Sequence, residues 1–430
     1  MLVKFTVENY LSLKNRTSID LTATSLTELR SSNLHATPLK NLSLLKSMVI
    51  YGANSNGKSN LFKAINFARK FIINSSKDSQ SDEPIEIQPF CLSTETMDQP
   101  SFFELVFIHD TIKYRYGFEV DDEQIQKEWL YVTTKNKEQL LFERDFQEIT
   151  ITKKFDAASS NLTTITRKNA LFISVCAQFN IPTGMAILKA LNGIQYVSGL
   201  QDRFTVNFTI DMMDDPVKKK YIDNFIAGAD LGFTETKVER FKLTEEILEK
   251  GKVPKEIRKL ILESDEENVV VSTKHIVYDE NNEEVDNIYF NLFVNESLGT
   301  GKYVALSGPI IDTLLHGKTL IIDEFDAQLH PHLSKSIIEL FNSKENNPHG
   351  AQLIFASHNS ALINPKRKLF RRDQIIIAEK DKYGVTTVES LYDKKVRKDA
   401  SFEKDYLEGK YDGLPDLEIG KELRLFGDGE

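Results

Sequence analysis

The sequence has few cysteines and no long apolar run. Its two cysteines, Cys91 and Cys176, exclude a disulfide framework and a cysteine-ligated zinc site within one chain, and they favour a reducing compartment. No apolar run is long enough to span a bilayer, and residues 2–10 alternate charged and apolar side chains instead of forming the apolar core of a signal peptide. We therefore expect a cytoplasmic protein that does not associate with membranes.

The composition is that of an ordinary folded chain. Hydrophobic residues make up 40% and charged residues 27% of the 430 positions, as in soluble globular proteins. This length allows two or three domains, or one nucleotide-binding core that carries a large insertion. The formal net charge of −10 argues against a surface that binds nucleic acid everywhere through phosphate contacts, and leaves only a local basic groove open.

A phosphate-binding loop is the clearest motif. An apolar stretch with Val49 and Ile50 leads into a Gly-x-x-x-x-Gly-Lys-Ser pattern, and a helix-like repeat follows it. A loop without bulky side chains points its main-chain N–H groups at phosphate oxygens, and the positive end of the next helix adds to the field. The lysine would reach the β- and γ-phosphates, and the serine hydroxyl would bind Mg²⁺. The predicted loop comprises Gly52, Ala53, Asn54, Ser55, Asn56, Gly57, Lys58, Ser59 and Asn60.

Two adjacent carboxylates follow a strongly apolar strand. Asp323 and Glu324 come directly after residues 320–322. A carboxylate at the tip of a buried strand needs a metal ion or a cation to offset its desolvation. Together with the phosphate loop, the pair predicts ATP hydrolysis, in which Asp323 holds Mg²⁺ and Glu324 orients or deprotonates the attacking water.

Two polar segments flank this pair in the sequence. Ser297 and Gly299 precede a predicted helix over 303–315, where they would form a second anion-binding surface. One chain does not need two such surfaces for one phosphate tail, unless the second serves the nucleotide of a neighbour. Beyond the carboxylates, a strand that begins at Leu353 leads to His358. A lone histidine at a strand end is usually structural, so its role depends on the order of the motifs.

This order of motifs resembles the ABC-type ATPases, in particular their SMC/RecF-like branch. The resemblance implies an α/β fold with a P-loop ATPase core that a mixed strand-and-helix insertion interrupts. It implies that the phosphate loop is Walker A and that Walker B contains the two carboxylates. By the same resemblance, Asp326 belongs to the D-loop and His358 senses the γ-phosphate. Ser297 and Gly299 would be the signature residues, although Glu296, Leu298 and Thr300 depart from the usual signature.

The resemblance also implies a dimer. In this branch the signature helix of one subunit closes over the nucleotide of the other, so we expect a homodimer with composite ATP sites, and a higher-order assembly stays open.

Gln88 is the candidate for the metal-contacting glutamine of the family; the alternative is a polar residue before a proline turn. The expected domains are a core of 1–90 and 291–400, an arm or lid of 91–290, and a tail of 401–430.

Four segments narrow the resemblance. They are similar to the stand-alone ATPases of prokaryotic abortive-infection and restriction-linked loci, the RloA/AbiL-like group: 296–300, 323–331, 372–375 and 406–413. That resemblance implies an ATP-driven switch in antiphage defence that controls a separately encoded effector.

Other functions stay open at this point. The basic clusters 218–220, 366–372 and 394–398 could line a groove for nucleic acid or an acidic partner, or they could be solvated surface patches. A RecF-like repair module, whose ATP-closed dimer clamps duplex DNA, is therefore the alternative to a defence switch. A scaffold that rarely turns over its nucleotide is a third hypothesis.

Overall fold

The chain forms two compact units in a computed structural model that describes residues 1–77, 80, 83–134, 137–199, 203–233, 235–250, 254–263 and 268–414. Unit 1 comprises the described residues of Met1–Gly199, Thr313–Ala327 and Ser334–Glu430. Unit 2 comprises those of Leu200–Asp312 and Gln328–Leu333. Within the described ranges, no helix is both long and apolar enough to cross a membrane.

Strands and helices alternate along much of the chain. The strands are β1 (Leu2–Glu8), β2 (Thr17–Asp20), β3 (Leu34–Ala36), β4 (Ser43–Leu45), β5 (Ser47–Tyr51), β6 (Ser101–His109), β7 (Ile112–Val120), β8 (Ile125–Thr134), β9 (Lys137–Asp145), β10 (Glu148–Ile151), β11 (Ile194–Val197), β12 (Glu235–Phe241), β13 (Asn268–Tyr278), β14 (Glu284–Asn291), β15 (Thr319–Ile322), β16 (Gln352–Ala356), β17 (Ile375–Lys380) and β18 (Thr386–Ser390). The α-helices are α1 (Arg30–Asn33), α2 (Lys58–Asn74), α3 (Phe172–Gln178), α4 (Pro182–Asn192), α5 (Arg203–Met213), α6 (Pro216–Ala227), α7 (Glu245–Lys250), α8 (Lys255–Glu263), α9 (Leu298–His316), α10 (Pro331–Asn342) and α11 (Phe402–Leu407).

A mostly parallel sheet forms the centre of unit 1. Its strand order is β11-β15-β16-β5-β17-β18, and only β18 runs antiparallel to its neighbour. Every residue of β5, β15 and β16 is buried, which explains why these strands are apolar runs without alternation. The carboxyl ends of parallel strands meet at one edge, so the segments that follow β5, β15 and β16 lie side by side there.

An antiparallel sheet lies on the other side of α2. Its order is β10-β9-β8-β7-β6-β1-β2, and β6 largely alternates buried and half-buried residues, as expected for a sheet with one more deeply covered face. The buried face of α2, with Leu61, Phe62 and Ile65, belongs to the same apolar core as residues of both sheets. Strands β6–β10 come from the range predicted to form an arm or lid, yet they continue the sheet of β1. The domain boundaries themselves stay a prediction.

Buried polar contacts hold the amino end of β5. The side-chain amide of Gln374 donates to Ser47 O at 2.7 Å and to Ser47 Oγ at 2.9 Å, and its oxygen accepts from Asn33 Nδ2 at 2.7 Å. Beside it, Arg371 and Asp373 form a buried ion pair of 2.7 Å. The segment 372–375, one of the four that carry the narrower resemblance, therefore anchors the strand that leads into the phosphate loop.

Unit 2 contains a three-stranded antiparallel sheet and several helices. The sheet order is β12-β13-β14, so β13 is the central strand. Asp215 caps α6 by accepting from Val217 N at 2.9 Å, as its position before a proline predicts. Helix α9 packs on α5, where Thr209 Oγ1 donates to Ala305 O at 2.6 Å.

Candidate functional site

The phosphate loop connects β5 to α2 and is tightly enclosed. Gly52 and Gly57 have positive φ angles of 154° and 88°, which favour glycine. A Cβ at Gly52 would stand 2.5 Å from Ala378 O, and one at Gly57 would collide with Thr386 Oγ1. Ser55 adopts a φ of 73°. Glycine is required at positions 52 and 57 because β17 and β18 pack closely against the loop.

Lys58 is the first residue of α2 and is buried. Its Nζ donates to Gly52 O at 2.7 Å and to Ala53 O at 2.9 Å. Desolvation lowers the pKa of Lys58, and the nearby carboxylates of Asp323, Glu324 and Asp326 act in the opposite direction. The lysine predicted from the loop and the acids predicted from the distant strand therefore share one electrostatic environment.

The carboxylate pair follows β15 at the same edge of the sheet. Asp323 is 7% exposed, and its Oδ1 accepts from Glu324 N at 3.1 Å. Glu324 is half-buried and has a φ of 51°, a conformation that a non-glycine residue rarely adopts and that recurs at functional sites. Phe325 is fully buried and donates its N–H to Ala356 O at 3.1 Å, which fixes the chain after this turn.

His358 lies two residues beyond β16 and is exposed. Desolvation lowers the pKa of His358, and Lys58 lowers it further, whereas Asp326, Glu324 and Asp323 raise it. The imidazole of His358 therefore shares its electrostatic environment with Lys58 and the three carboxylates. Tyr51 OH donates to Asn359 O at 2.8 Å and holds the segment that carries the histidine.

Gln88 lies beside a turn that contacts the loop. Its main-chain oxygen accepts from Leu11 N at 3.0 Å, and its side chain is exposed. The next residue of that turn, Ser12, accepts at Oγ from Asn60 Nδ2 at 2.8 Å and from Thr386 Oγ1 at 2.8 Å. These contacts place Gln88 near the phosphate loop, and its role as a metal ligand stays a prediction.

The oxygen donors present suit Mg²⁺. The half-buried hydroxyl of Ser59 and the buried carboxylate of Asp323 are hard ligands, which Mg²⁺ prefers, and Mg²⁺ takes its other ligands from phosphates and water in nucleotide sites. The carboxylate of Asp323 also interacts electrostatically with the buried Lys58.

The predicted signature residues lie in unit 2, at the start of α9. Ser297 Oγ accepts from Thr300 N at 3.1 Å and lies 2.8 Å from Thr300 Oγ1, so the serine caps the helix. The helix begins at Leu298, five residues before the predicted start. A Cβ at Gly299 would stand 2.5 Å from Gln328 O, so close packing of the backbone requires glycine here.

The carboxyl-terminal segment was missed as a part of the site. Gly413 O accepts from Ala53 N at 2.5 Å and from Asn56 Nδ2 at 3.3 Å. The ring of Tyr406 lies 5.4 Å from that of Tyr51, between centroids. Segment 406–413 carried the narrower resemblance, and this was the signal in the sequence that could have identified it.

Gly199 was also missed. It follows β11 with a φ of 71°, and a Cβ there would collide with Asp323 O. In the same place, Asp323 N donates to Val197 O at 3.0 Å. Gly199 therefore lets β11 approach the main chain of the carboxylate pair. In the sequence, the only indication of this close approach is the polar Ser-Gly pair that follows an apolar run.

The three basic clusters are paired with acids in part. Lys219 bonds to Asp223 at 2.6 Å in the first cluster. Arg372 bonds to Glu28 at 3.0 Å in the second. In the third, Lys394 lies 3.2 Å from Asp412, and Arg397 lies 2.8 Å from Asp399. These pairs reduce the positive charge available for a nucleic-acid groove.

Comparison with known proteins gives one family and several structures. The model of the family described as "AAA domain, putative AbiEii toxin, Type IV TA system" matches residues 47–364, about three quarters of the chain. No curated protein matches significantly. The structure is similar to the SMC head domain from Thermotoga maritima, with a TM-score of 0.41, 13% identity and coverage of 90% of this chain and 98% of that one. An SmcHead bound to the C-winged helix domain of ScpA has a TM-score of 0.43 and 13% identity, with coverage of 94% and 99%. An Smc head domain with an extended coiled coil, bound to the C-terminal domain of ScpA derived from Pyrococcus furiosus, has a TM-score of 0.39 and 11% identity, with coverage of 95% and 98%.

Proposed function

Because this chain belongs to the family described as "AAA domain, putative AbiEii toxin, Type IV TA system", it is a nucleotide-binding ATPase of the P-loop type, and we propose that it hydrolyses ATP in a site shared by two copies. The observation that carries the proposal is the convergence of Lys58, Asp323, Glu324 and His358 at one edge of the parallel sheet. A charged lysine beside an acid pair is the arrangement that phosphoryl transfer to water needs.

The residues divide the work of the reaction. The main-chain N–H groups of the loop and the ammonium of Lys58 bind the phosphates and stabilise charge as it moves to the β–γ bridging oxygen. Glu324 accepts a hydrogen bond from the attacking water and takes its proton as the oxygen bonds to the γ-phosphorus. His358 donates a hydrogen bond from a ring N–H to the γ-phosphate. Burial around Lys58 strengthens these interactions because it excludes water.

Ser59 and Asp323 would hold Mg²⁺, with Gln88 as a further candidate ligand. The bound ion would neutralise negative charge on the β- and γ-phosphates. Asp323 is suited to this position because its backbone is pinned to β11 and its Oδ1 is oriented by Glu324 N. Asp326 would contact the nucleotide region across the dimer.

We further propose that Ser297 and Gly299 bind the nucleotide held by the other copy. In unit 1, the amino end of α2 is the helix end that binds phosphate. In unit 2, the amino end of α9, which Ser297 caps, is a second helix end of this kind. A homodimer with two composite sites uses both. Hydrolysis then requires closure of the dimer, which makes ATP a switch between separate and closed copies.

The test uses Glu324→Gln, which keeps the shape of the side chain but removes the base. We expect the variant to form a stable dimer with ATP and Mg²⁺, seen as a doubled mass in light scattering, and to hydrolyse ATP at least about a hundredfold more slowly. Lys58→Ala should stay monomeric and bind ATP weakly. Undiminished turnover by Glu324→Gln would disprove the assignment of the base, and full turnover by a monomer would disprove the shared site.

The biological role that we propose is regulation of a separate effector in antiphage defence. The family description and the four segments that resemble abortive-infection ATPases support it. Co-expression with the product of the adjacent gene should give a complex that protects cells from phage. Lys58→Ala should abolish protection without loss of expression. Salt-sensitive, ATP-dependent binding of duplex DNA in the absence of any complex would instead favour a repair clamp.

A further inference from the structure

A half-buried polar contact joins Glu296, just before the predicted signature residues, to the sheet of unit 2. Glu296, the residue before Ser297, accepts at Oε1 from Thr273 Oγ1 at 2.6 Å and from His275 Nε2 at 2.7 Å. A carboxylate only accepts, so the imidazole must be the donor. The neutral imidazole with a proton on Nε2 and the imidazolium both satisfy this geometry.

The two donors stand on a well-fixed element. Thr273 and His275 are alternate residues of β13, so their side chains share one face of its sheet. Thr273 is fully buried, and the His275 ring packs on Phe290 at 4.8 Å and Phe233 at 5.9 Å between centroids. Because β13 is paired on both sides, the main chain that carries both donors is held in place by the sheet.

The acceptor stands on the segment that α9 needs for its start. The Glu296 side chain is 12% exposed, and the carboxylate would be costly to bury without these donors. Its neighbour Ser297 caps α9, and Gly299 rests against Gln328 O. The Ser297 hydroxyl is thus positioned in two ways: by its own hydrogen bond to the start of α9, and by the contacts of its neighbour Glu296 with β13.

We propose that His275 and Thr273 position Ser297, through Glu296, for the nucleotide bound by a second copy of the chain. This inference rests on the proposed function, since it concerns the residue that closes the shared site. It assigns the sheet β12-β13-β14 a part in dimer closure. Coupling of this kind is reciprocal, so a ligand that shifts the sheet changes closure, and closure changes the affinity for that ligand.

The experiment measures ATP-driven dimerisation of the full chain in the Glu324→Gln background. Glu296→Ala and His275→Ala should each raise the protein concentration needed for half-dimerisation by at least about tenfold, as expected for loss of a hydrogen bond to a charged group. The affinity of the monomer for a fluorescent ATP analogue should not change, because Lys58 and the loop are intact. A purely structural defect would instead lower the fraction of folded protein and its nucleotide binding together.

Conservative variants separate positioning from general damage. Glu296→Gln keeps an acceptor and His275→Gln keeps a donor, so both should dimerise within about threefold of the parent. The combined His275→Ala, Glu296→Ala variant should lose no more than Glu296→Ala alone, because Glu296→Ala already removes the contact with His275. Glu239→Ala is the matched control, since it removes an exposed 2.8 Å pair with Lys237 from β12 of the same sheet. If an alanine variant does not fold, Thr273→Val removes one donor at constant shape and should still weaken dimerisation.

The outcomes are distinct. If the Glu324→Gln parent does not dimerise with ATP, the proposed function fails and this inference fails with it. If the parent dimerises and Glu296→Ala and Thr273→Val do so equally well, the positioning role alone is disproved. Additive losses from His275→Ala and Glu296→Ala would also disprove it.

Discussion

The main-chain oxygen of Gly413 accepts a hydrogen bond of 2.5 Å from the main-chain N–H of Ala53, which joins the carboxyl-terminal segment to the phosphate loop. Asn56 Nδ2 donates to the same oxygen at 3.3 Å. A loop that must hold several N–H groups in fixed directions has no side-chain core of its own, so such contacts determine its shape. Segment 406–413 is therefore a structural part of the nucleotide site.

Gly413→Ala should weaken nucleotide binding. The residue has a φ of 73°, and a Cβ would stand 2.8 Å from Ile377 Cγ2 and 3.1 Å from Ala378 O. Relief of these contacts would move Gly413 O away from Ala53, and we expect the Kd for a fluorescent ATP analogue to rise about tenfold. Gly409→Ala is the control, because Gly409 has a φ of 76° but a Cβ there meets nothing within 4 Å. Equal effects of the two variants would show that backbone strain alone is responsible.

Gly199→Ala should slow hydrolysis more than it weakens binding. A Cβ at this position collides with Asp323 O, so β11 or the carboxylate pair must shift. We expect kcat to fall at least about tenfold and the Mg²⁺ concentration for half-maximal rate to rise, as for a metal ligand that is displaced. Gly232→Ala carries similar strain at a φ of 83° with nothing within 4 Å of its Cβ and should leave both values unchanged. An unaltered kcat for Gly199→Ala would contradict the prediction.

The parts of the site that the sequence predicted are those encoded locally. The apolar run before Gly52 and the periodic run after Ser59 specify a strand, a turn and a helix without reference to the rest of the chain, and all three are present. The prediction of an α/β fold with a P-loop core is confirmed by the family match. Asp323 and Glu324 were identified in the same way, from one buried strand and its polar end.

What the sequence did not predict depends on contacts between distant segments. Gly199 and Gly413 lie far in the sequence from the motifs that they touch, so no local pattern predicts which residues they contact. The pairing of β6 with β1 was not predicted either, because it follows from the core that both strands share with α2. Helix α9 starts earlier than its apolar pattern because the cap at Ser297 compensates for the low helix propensity of Gly299 and Gly301.

Tyr10 should make the protein sensitive to alkaline pH. Burial raises the pKa of Tyr10 to about 12, from about 10 for a tyrosine in an unfolded chain. Its contribution to stability is complete below pH 10, where the phenol is protonated in both states, and is lost as pH rises from about 10 to 12, because only the unfolded state ionises freely there. Above pH 10 the unfolding free energy of the wild type should fall by up to about 1.4 kcal/mol per pH unit more steeply than that of Tyr10→Phe. Urea unfolding of both proteins between pH 9 and 11 measures this difference. Parallel curves for the two proteins would contradict the assignment.

Glu128 holds the start of α3 to the antiparallel sheet from a fully buried position. Its carboxylate accepts from Phe172 N at 2.8 Å, Ile173 N at 3.0 Å and Tyr116 OH at 2.8 Å, and it lies 3.7 Å from the buried guanidinium of Arg144. Removal of this carboxylate leaves those donors unsatisfied and the guanidinium unpaired. Glu128→Ala should therefore lower the unfolding free energy by about 3–5 kcal/mol.

The variant that tests this explanation is Glu128→Gln, which keeps an acceptor for the helix N–H groups but loses the charge opposite Arg144. We expect it to lie between the wild type and Glu128→Ala in urea midpoint. Glu143→Ala changes an exposed carboxylate next to Arg144 on β9 and should shift the free energy by less than about 0.5 kcal/mol. If Glu128→Ala were as stable as Glu143→Ala, the helix would be held by its apolar face alone, because the core residues Phe172 and Ile173 would then account for its whole attachment.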